Sequence, residues 1–365
     1  MKTALRAIAA LSFLAGASAP LQAADFEWKM QASWPPGGPG TQWENFVMFV
    51  DSVDRMSAGR LKIEPLPAGA IVPAFEVLDA TSREVIDGAH TAMGYWVGRS
   101  KAAIPLSHGP LFGMDYIDFF GWLYHGGGRE LTDQWYQEKL KANVVSFPVQ
   151  PSGPQALGWY KEEIKSWEDF QGLKLRIYGL GNLVFNAAGV SAVQLPGAEI
   201  LPAAERGVID AAEWVGGIAD LEFGFHTVWK YTMAPGVHEQ VTVGDLLINK
   251  DRWDSLPADL KAIVEAAAVE TFWVWKTKWH IHNADAYEEM TTKHGVTKIR
   301  TPQAILDEFM SAYDKLAVEW EAEDEWYKKV RDSQRAYAEK IVPYRRFSHP
   351  PYEYLSDYFW KDKID

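Results

Sequence analysis

The chain has 365 residues, a formal net charge of −13 and no cysteine. The lack of thiols rules out disulfide scaffolds, thiolate zinc sites and cysteine nucleophiles together. The acidic balance argues against nucleic acid or anionic lipid as a partner, because neutralising phosphates takes basic patches.

Lys2 and Arg6 precede an apolar run over 7–16 that is too short to span a bilayer, and small residues follow up to Leu21-Gln22-Ala23-Ala24. This is the layout of a cleaved export signal over 1–23, which implies a periplasmic protein. Its removal takes away two positive charges and no negative one, moving the formal charge from −13 to −15. The remainder is long enough to form two domains without crosslinks.

Strand-like and helix-like segments then alternate. A strand is expected over 26–32, a helix capped by Thr41 to about 57, a strand over 61–65, a helix over 73–86 and a strand over 90–94. Further strands are expected over 143–149, 155–160, 173–178 and 192–195, with helices over 180–188 and 197–207, and extended chain over 238–248. Such alternation predicts an α/β, two-lobed architecture. The first lobe takes 24–150 plus about 240–255, and the second takes 151–239. From Ser255, Pro257 and Asp259, a capping hydroxyl and a pre-set φ start a helix with no Gly or Pro before Gly295. This helix, about 36 residues within 256–295, is about 54 Å long at ~1.5 Å per residue and spans both lobes. A helical C-terminal region over 301–365 follows, with a break near Asp324 and a Pro- and Tyr-rich tail over 342–354 that wraps a surface.

Several enzyme signals do not hold. His125-Gly126-Gly127-Gly128 resembles an oxyanion loop, but no G-x-S-x-G accompanies it. Gly179-Leu180-Gly181 starts a dinucleotide fingerprint whose third glycine is Val184. His280 and His282 face nearly opposite sides of a helix and cannot share a metal. The 17 Trp, 15 Tyr and 17 Phe suit either core packing or a flat-walled ligand cleft. With the acidic balance, they keep a secreted carbohydrate-active enzyme open as an alternative, and a periplasmic sensor module as a third reading.

Four segments place a polar group among apolar neighbours at strand ends, where open α/β sheets bind ligands: Gln155-Ala156-Leu157-Gly158-Trp159, Leu175-Arg176-Ile177-Tyr178-Gly179, Ala212-Glu213-Trp214-Val215-Gly216 and Pro235-Gly236-Val237-His238-Glu239. Arg176 stands out, since a planar fork of donors suits a carboxylate.

With Trp34-Pro35, Ile86-Asp87-Gly88-Ala89-His90 and Ser333-Gln334-Arg335-Ala336-Tyr337-Ala338, these segments resemble the extracytoplasmic solute receptors of TRAP transporters. The branch most resembled binds 2-oxo acids, lactate and related monocarboxylates. The resemblance implies a type II-like periplasmic binding protein rather than an enzyme, with two lobes closing on a small organic acid paired with Arg176. It also implies a metal ion, Ca²⁺ or Na⁺, held by the Gln155 side chain, Glu213, the Trp214 backbone carbonyl and Glu239, with Gln240 as an alternative to Glu239. These are hard oxygen ligands, and two carboxylates tilt the choice toward Ca²⁺. Phe75, Tyr95 and Trp96 fall where this branch carries aromatic pocket residues. Val237 and Asn182 depart from its pattern, with an expected effect on pocket volume. The implied partners are membrane permease subunits, and the helix after Thr301 is a candidate for homodimerisation.

Overall fold

The computed structural model describes residues 24–364, so the export signal expected over 1–23 lies outside the described residues. In β1 (Phe26–Ala32), Glu27 and Lys29 face solvent while Trp28 and Met30 are buried, the period-2 pattern of a half-buried strand. β2 (Leu61–Leu66), β3 (Gly88–Ala92) and β4 (Val144–Ser152) follow. β5 (Gly158–Tyr160), β6 (Lys174–Arg176), β7 (Ser191–Val193), β8 (Ala211–Ala212) and β9 (Tyr231–Ala234) are short. β10 (Thr242–Asn249) and β11 (Thr297–Arg300) complete the strands among the described residues.

They form two sheets, in the orders β2-β1-β3-β10-β4 and β11-β9-β5-β8-β6-β7. In the first, β1 pairs parallel with β2 and β3, while β10 runs antiparallel between β3 and β4. The chain therefore leaves the first sheet after β4 and returns to it through β10. Those two crossings put the ends of both sheets side by side.

The long helix, Ala258–Thr292, has 35 residues and reaches about 52 Å at ~1.5 Å per residue. It touches both lobes: Trp275 Nε1 donates to Thr41 O at 3.2 Å, and Asn283 Oδ1 accepts from Ile218 N at 2.8 Å. Lys276, on the same helix, donates to Gly153 O at 2.6 Å where the chain crosses.

Several expectations are corrected. The helix expected over 73–86 is only Val77–Ser82, because Gln31 and Ser33 of and beside β1 hold the preceding backbone open. Gln31 bonds Ile71 N, Val72 N and Val72 O, and Ser33 Oγ donates to Ala74 O. The strand expected over 90–94 is β3, which ends at Ala92 before a 3₁₀ turn, Met93–Trp96. Ser255 does not cap the long helix. It ends a separate short helix, Lys250–Ser255, which Asn249 caps, and its hydroxyl bonds Arg252 O. The chain over 238–241 bends rather than extending, and β8, β9 and β11 were not foreseen. The tail does not wrap a surface. Helix Glu325–Ser348 continues through Pro343, and a last helix, Tyr352–Ile364, stands exposed.

A buried polar chain fixes the first lobe. Trp34 Nε1 donates to His90 Nδ1 at 2.5 Å, which places the imidazole proton on Nε2, 2.9 Å from Asn45 Oδ1. Asn45 Nδ2 in turn donates to Val149 O at 3.0 Å. Burial holds His90 down to about 3, so it is neutral at ordinary pH. Asn45→Ala leaves the His90 N–H and the Val149 carbonyl unpaired. The expected cost is about 3 kcal/mol, read as a lower denaturant midpoint at unchanged slope.

Candidate functional site

Between the lobes lies a narrow cleft with a cavity volume of about 30 Å³. The end of β6 contributes Arg176 and Tyr178, and the loop after β8 contributes Trp214 and Val215. The first lobe adds Trp34, Tyr95 and Gln150. The crossing segments add Ser152, Gln155, Glu239 and Thr242.

Arg176 is fully buried. Its Nε and Nη2 donate to Leu195 O at 3.2 and 3.1 Å. Nη1 bonds both the backbone carbonyl of Glu213 and, at 3.0 Å, Glu213 Oε2. The guanidinium also lies 4.9 Å from the Trp214 ring centroid. Most of the fork is therefore engaged inside the protein, and Nη2 retains an N–H for a ligand. Behind the pair, Asp220 accepts from Trp159 Nε1, Val215 N and Gly216 N at 2.6, 3.2 and 2.9 Å, fixing the 213–216 loop.

Glu213 Oε2 also accepts from Tyr178 N at 3.2 Å, and Glu239 Oε2 accepts from Thr242 Oγ1 at 2.8 Å. Gln155 Nε2 lies 3.4 Å from the same hydroxyl. The opposite oxygens, Gln155 Oε1, Glu213 Oε1 and Glu239 Oε1, are buried with no hydrogen-bond partner among the described residues. Acceptors left unpaired in a dry site cost free energy unless a cation satisfies them. Glu213, His238 and Glu239 each bring a ligand atom within 4.8 Å of the others. Burial pushes Glu213 up to about 8 against the pull of Arg176, and pushes Glu239 well above the carboxylate range, with Glu213 adding to the shift. Oxygen donors of this kind suit a hard cation.

Of the residues singled out from sequence, Gln155, Arg176, Trp214, Glu239 and Tyr95 line the cleft, and Glu213 lies directly behind Arg176. Phe75 packs on Tyr95 with ring centroids 4.5 Å apart but does not line the cleft. Trp96 turns into the first lobe against Tyr136. Gln240 spends its amide on Met114 O at 3.0 Å, whereas Glu239 faces the cavity. Neither Val237 nor Asn182 lines the cleft. Trp34, Tyr178 and Thr242 were missed. Only Tyr178 carried a signal, its place two residues after Arg176.

The model of the family described as bacterial extracellular solute-binding protein, family 7, matches residues 36–324. A monocarboxylate 2-oxoacid-binding periplasmic protein of Nostoc sp. is 34% identical over 330 residues, covering 89% of this chain and 88% of that protein. A TRAP transporter solute-binding protein from Bordetella bronchiseptica is 27% identical with a TM-score of 0.85, over 93% of this chain and 98% of that one. It was solved as a mixed-occupancy dimer with copurified calcium and picolinate in one site. A TRAP periplasmic solute-binding protein from Pseudoalteromonas atlantica, with bound sodium and pyruvate, is 30% identical with a TM-score of 0.83, over 91% and 98%.

Proposed function

Because this chain belongs to the bacterial extracellular solute-binding protein family 7, whose solved relatives serve TRAP transporters, we propose that it captures a small monocarboxylate in the interlobe cleft. It is a binding protein and not an enzyme, so the carbohydrate-active alternative falls. The ligand is a 2-oxo or 2-hydroxy acid such as pyruvate or lactate. Arg176 meets its carboxylate, while Gln155, Glu213, the Trp214 carbonyl and Glu239 hold a Ca²⁺ or Na⁺ ion beside it. The observation that carries this reading is the set of three unpaired buried oxygens next to a buried guanidinium. When bound, the ion supplies positive charge to the acid and to both carboxylates. Trp34, Tyr95 and Trp214 exclude water from the pair, which strengthens its electrostatics.

We further propose that residues 1–23 direct export and are removed, and that the closed receptor delivers its acid to membrane permease subunits. The exposed aromatics of the last two helices, Phe347, Tyr358, Phe359 and Trp360 among them, fit a face covered by a second copy of this chain.

Tryptophan fluorescence titrated with pyruvate and lactate is expected to saturate without turnover and to lose its response in chelator if the ion is calcium. Arg176→Ala should weaken binding about a hundredfold; unchanged binding of every acid sinks the proposal.

Because both carboxylates keep protons to unusually high pH, cation binding must displace them. Apparent cation affinity should therefore fall as pH drops from about 8 toward 6, by about tenfold per unit for each proton released. Calorimetry in buffers of different ionisation enthalpy measures that release.

Light scattering should find a dimer for the exported chain and a monomer after deletion of 349–365. A monomer in both removes the dimer.

A further inference from the structure

Tyr178 follows β6 in the second lobe, and its side chain crosses the cleft into the first. Its ring meets Tyr95 edge-on at 5.2 Å and lies 5.2 Å from the His108 ring. Its hydroxyl is buried without a partner among the described residues. A Cβ built on Gly94 would come 2.2 Å from that hydroxyl, so the phenol tip occupies the hollow that this glycine leaves.

The next two residues seat against the same wall. Gly179, with a φ of +54°, approaches so closely that a Cβ there would lie 2.6 Å from His108 Nε2. Leu180 N then donates to that nitrogen at 3.1 Å, and the other ring nitrogen lies 2.6 Å from Ser107 Oγ. The Tyr178, Gly179 and Leu180 contacts join the two lobes, and the Ser107 bond fixes the His108 ring that receives them. Together they back Tyr178 with buried backbone and rings, so this part of the cleft wall cannot retreat to admit a larger ligand.

We infer that Tyr178 is a specificity-determining residue, which limits the chain length of the bound acid by filling the socket formed by Gly94, Tyr95 and His108. The inference rests on the reading of the cleft as a monocarboxylate site and adds to it a rule for the acid's size. The cleft as it stands has a cavity volume of only about 30 Å³, which leaves little slack. An acid with a longer carbon chain must either displace the phenol or hold the lobes apart. In either case it loses the contacts between Tyr178–Leu180 and the first lobe.

The test uses the exported full-length protein and the straight-chain series pyruvate, 2-oxobutanoate, 2-oxopentanoate and 2-oxohexanoate, titrated by calorimetry. The wild type should lose affinity up the series by about tenfold per added methylene once the wall is reached. Tyr178→Ala should flatten or invert that profile, so that 2-oxohexanoate gains at least about tenfold relative to pyruvate. Tyr178→Phe keeps the ring volume and should keep the wild-type profile. Thermal melting of each variant checks that the fold survives. A uniform loss across all four acids in Tyr178→Ala would make Tyr178 structural and overturn the inference, as would a wild type indifferent to chain length. A wild type that binds none of the acids overturns the monocarboxylate reading itself, which separates the two failures.

Discussion

One guanidinium and two carboxylates, all removed from water, set the terms for the rest of the cleft. Isolated charges cannot be buried without large cost, and a buried pair is tolerated only when its remaining donors and acceptors are satisfied. Arg176 meets that condition for all but one N–H of Nη2, through Leu195 O, Glu213 and the Trp214 face. The carboxylates meet it by half. Each has one oxygen bonded, to Tyr178 N or to the Thr242 hydroxyl, and one left open. The protein has thus built a site whose own groups leave it incomplete. That condition is expensive in a structural core and useful in a receptor.

The fold puts this incomplete cluster where motion acts on it. Arg176, Tyr178 and Trp214 come from the second sheet, Trp34 and Tyr95 from the first lobe, and Gln155, Glu239 and Thr242 from the two crossings. Relative movement of the lobes therefore assembles or disperses the site. The long helix restrains that movement from behind. Lys276 reaches Gly153 O, and Tyr116 bonds the carbonyls of both Ser152 and Gly153, so the outgoing crossing is clamped from two sides.

How much of this was legible depended on whether the signal was local. β1 and helix Gln42–Ser57 follow directly from period-2 alternation and a capping threonine. Arg176 is buried at the end of β6, the strand end where the apolar run Leu173–Ile177 had placed it. β5 and β6 were drawn too long, since apolar residues beside a three-residue strand look the same as residues within it. Phe75 and Trp96 show the limit for aromatics. Both are packed in or against the core, and nothing in their neighbours separates a cleft wall from a core face. Trp34 and Thr242 reach the cleft only through pairings between distant segments, which no local pattern carries. The shortened 77–82 helix has the same origin, because Gln31 and Ser33 lie 41 residues from the backbone they hold.

Charge offers a reason to prefer one ion in the proposed site. Asp220 is set back under three N–H donors, so the charges that meet at the cleft are those of Arg176, Glu213 and Glu239. Once cation binding has displaced the protons of both glutamates, the protein's own three groups carry one net negative charge. A monovalent cation only cancels that surplus, and the acid then restores it. A divalent cation reverses its sign, and the acid brings the cluster to neutrality. Neutrality matters more as the cleft closes, because the penalty for an uncompensated charge grows as water leaves. Sodium can reach the same balance only if one glutamate keeps a proton, and a protonated carboxyl is a poorer ligand. The second carboxylate at position 239 thus argues for Ca²⁺ in this chain.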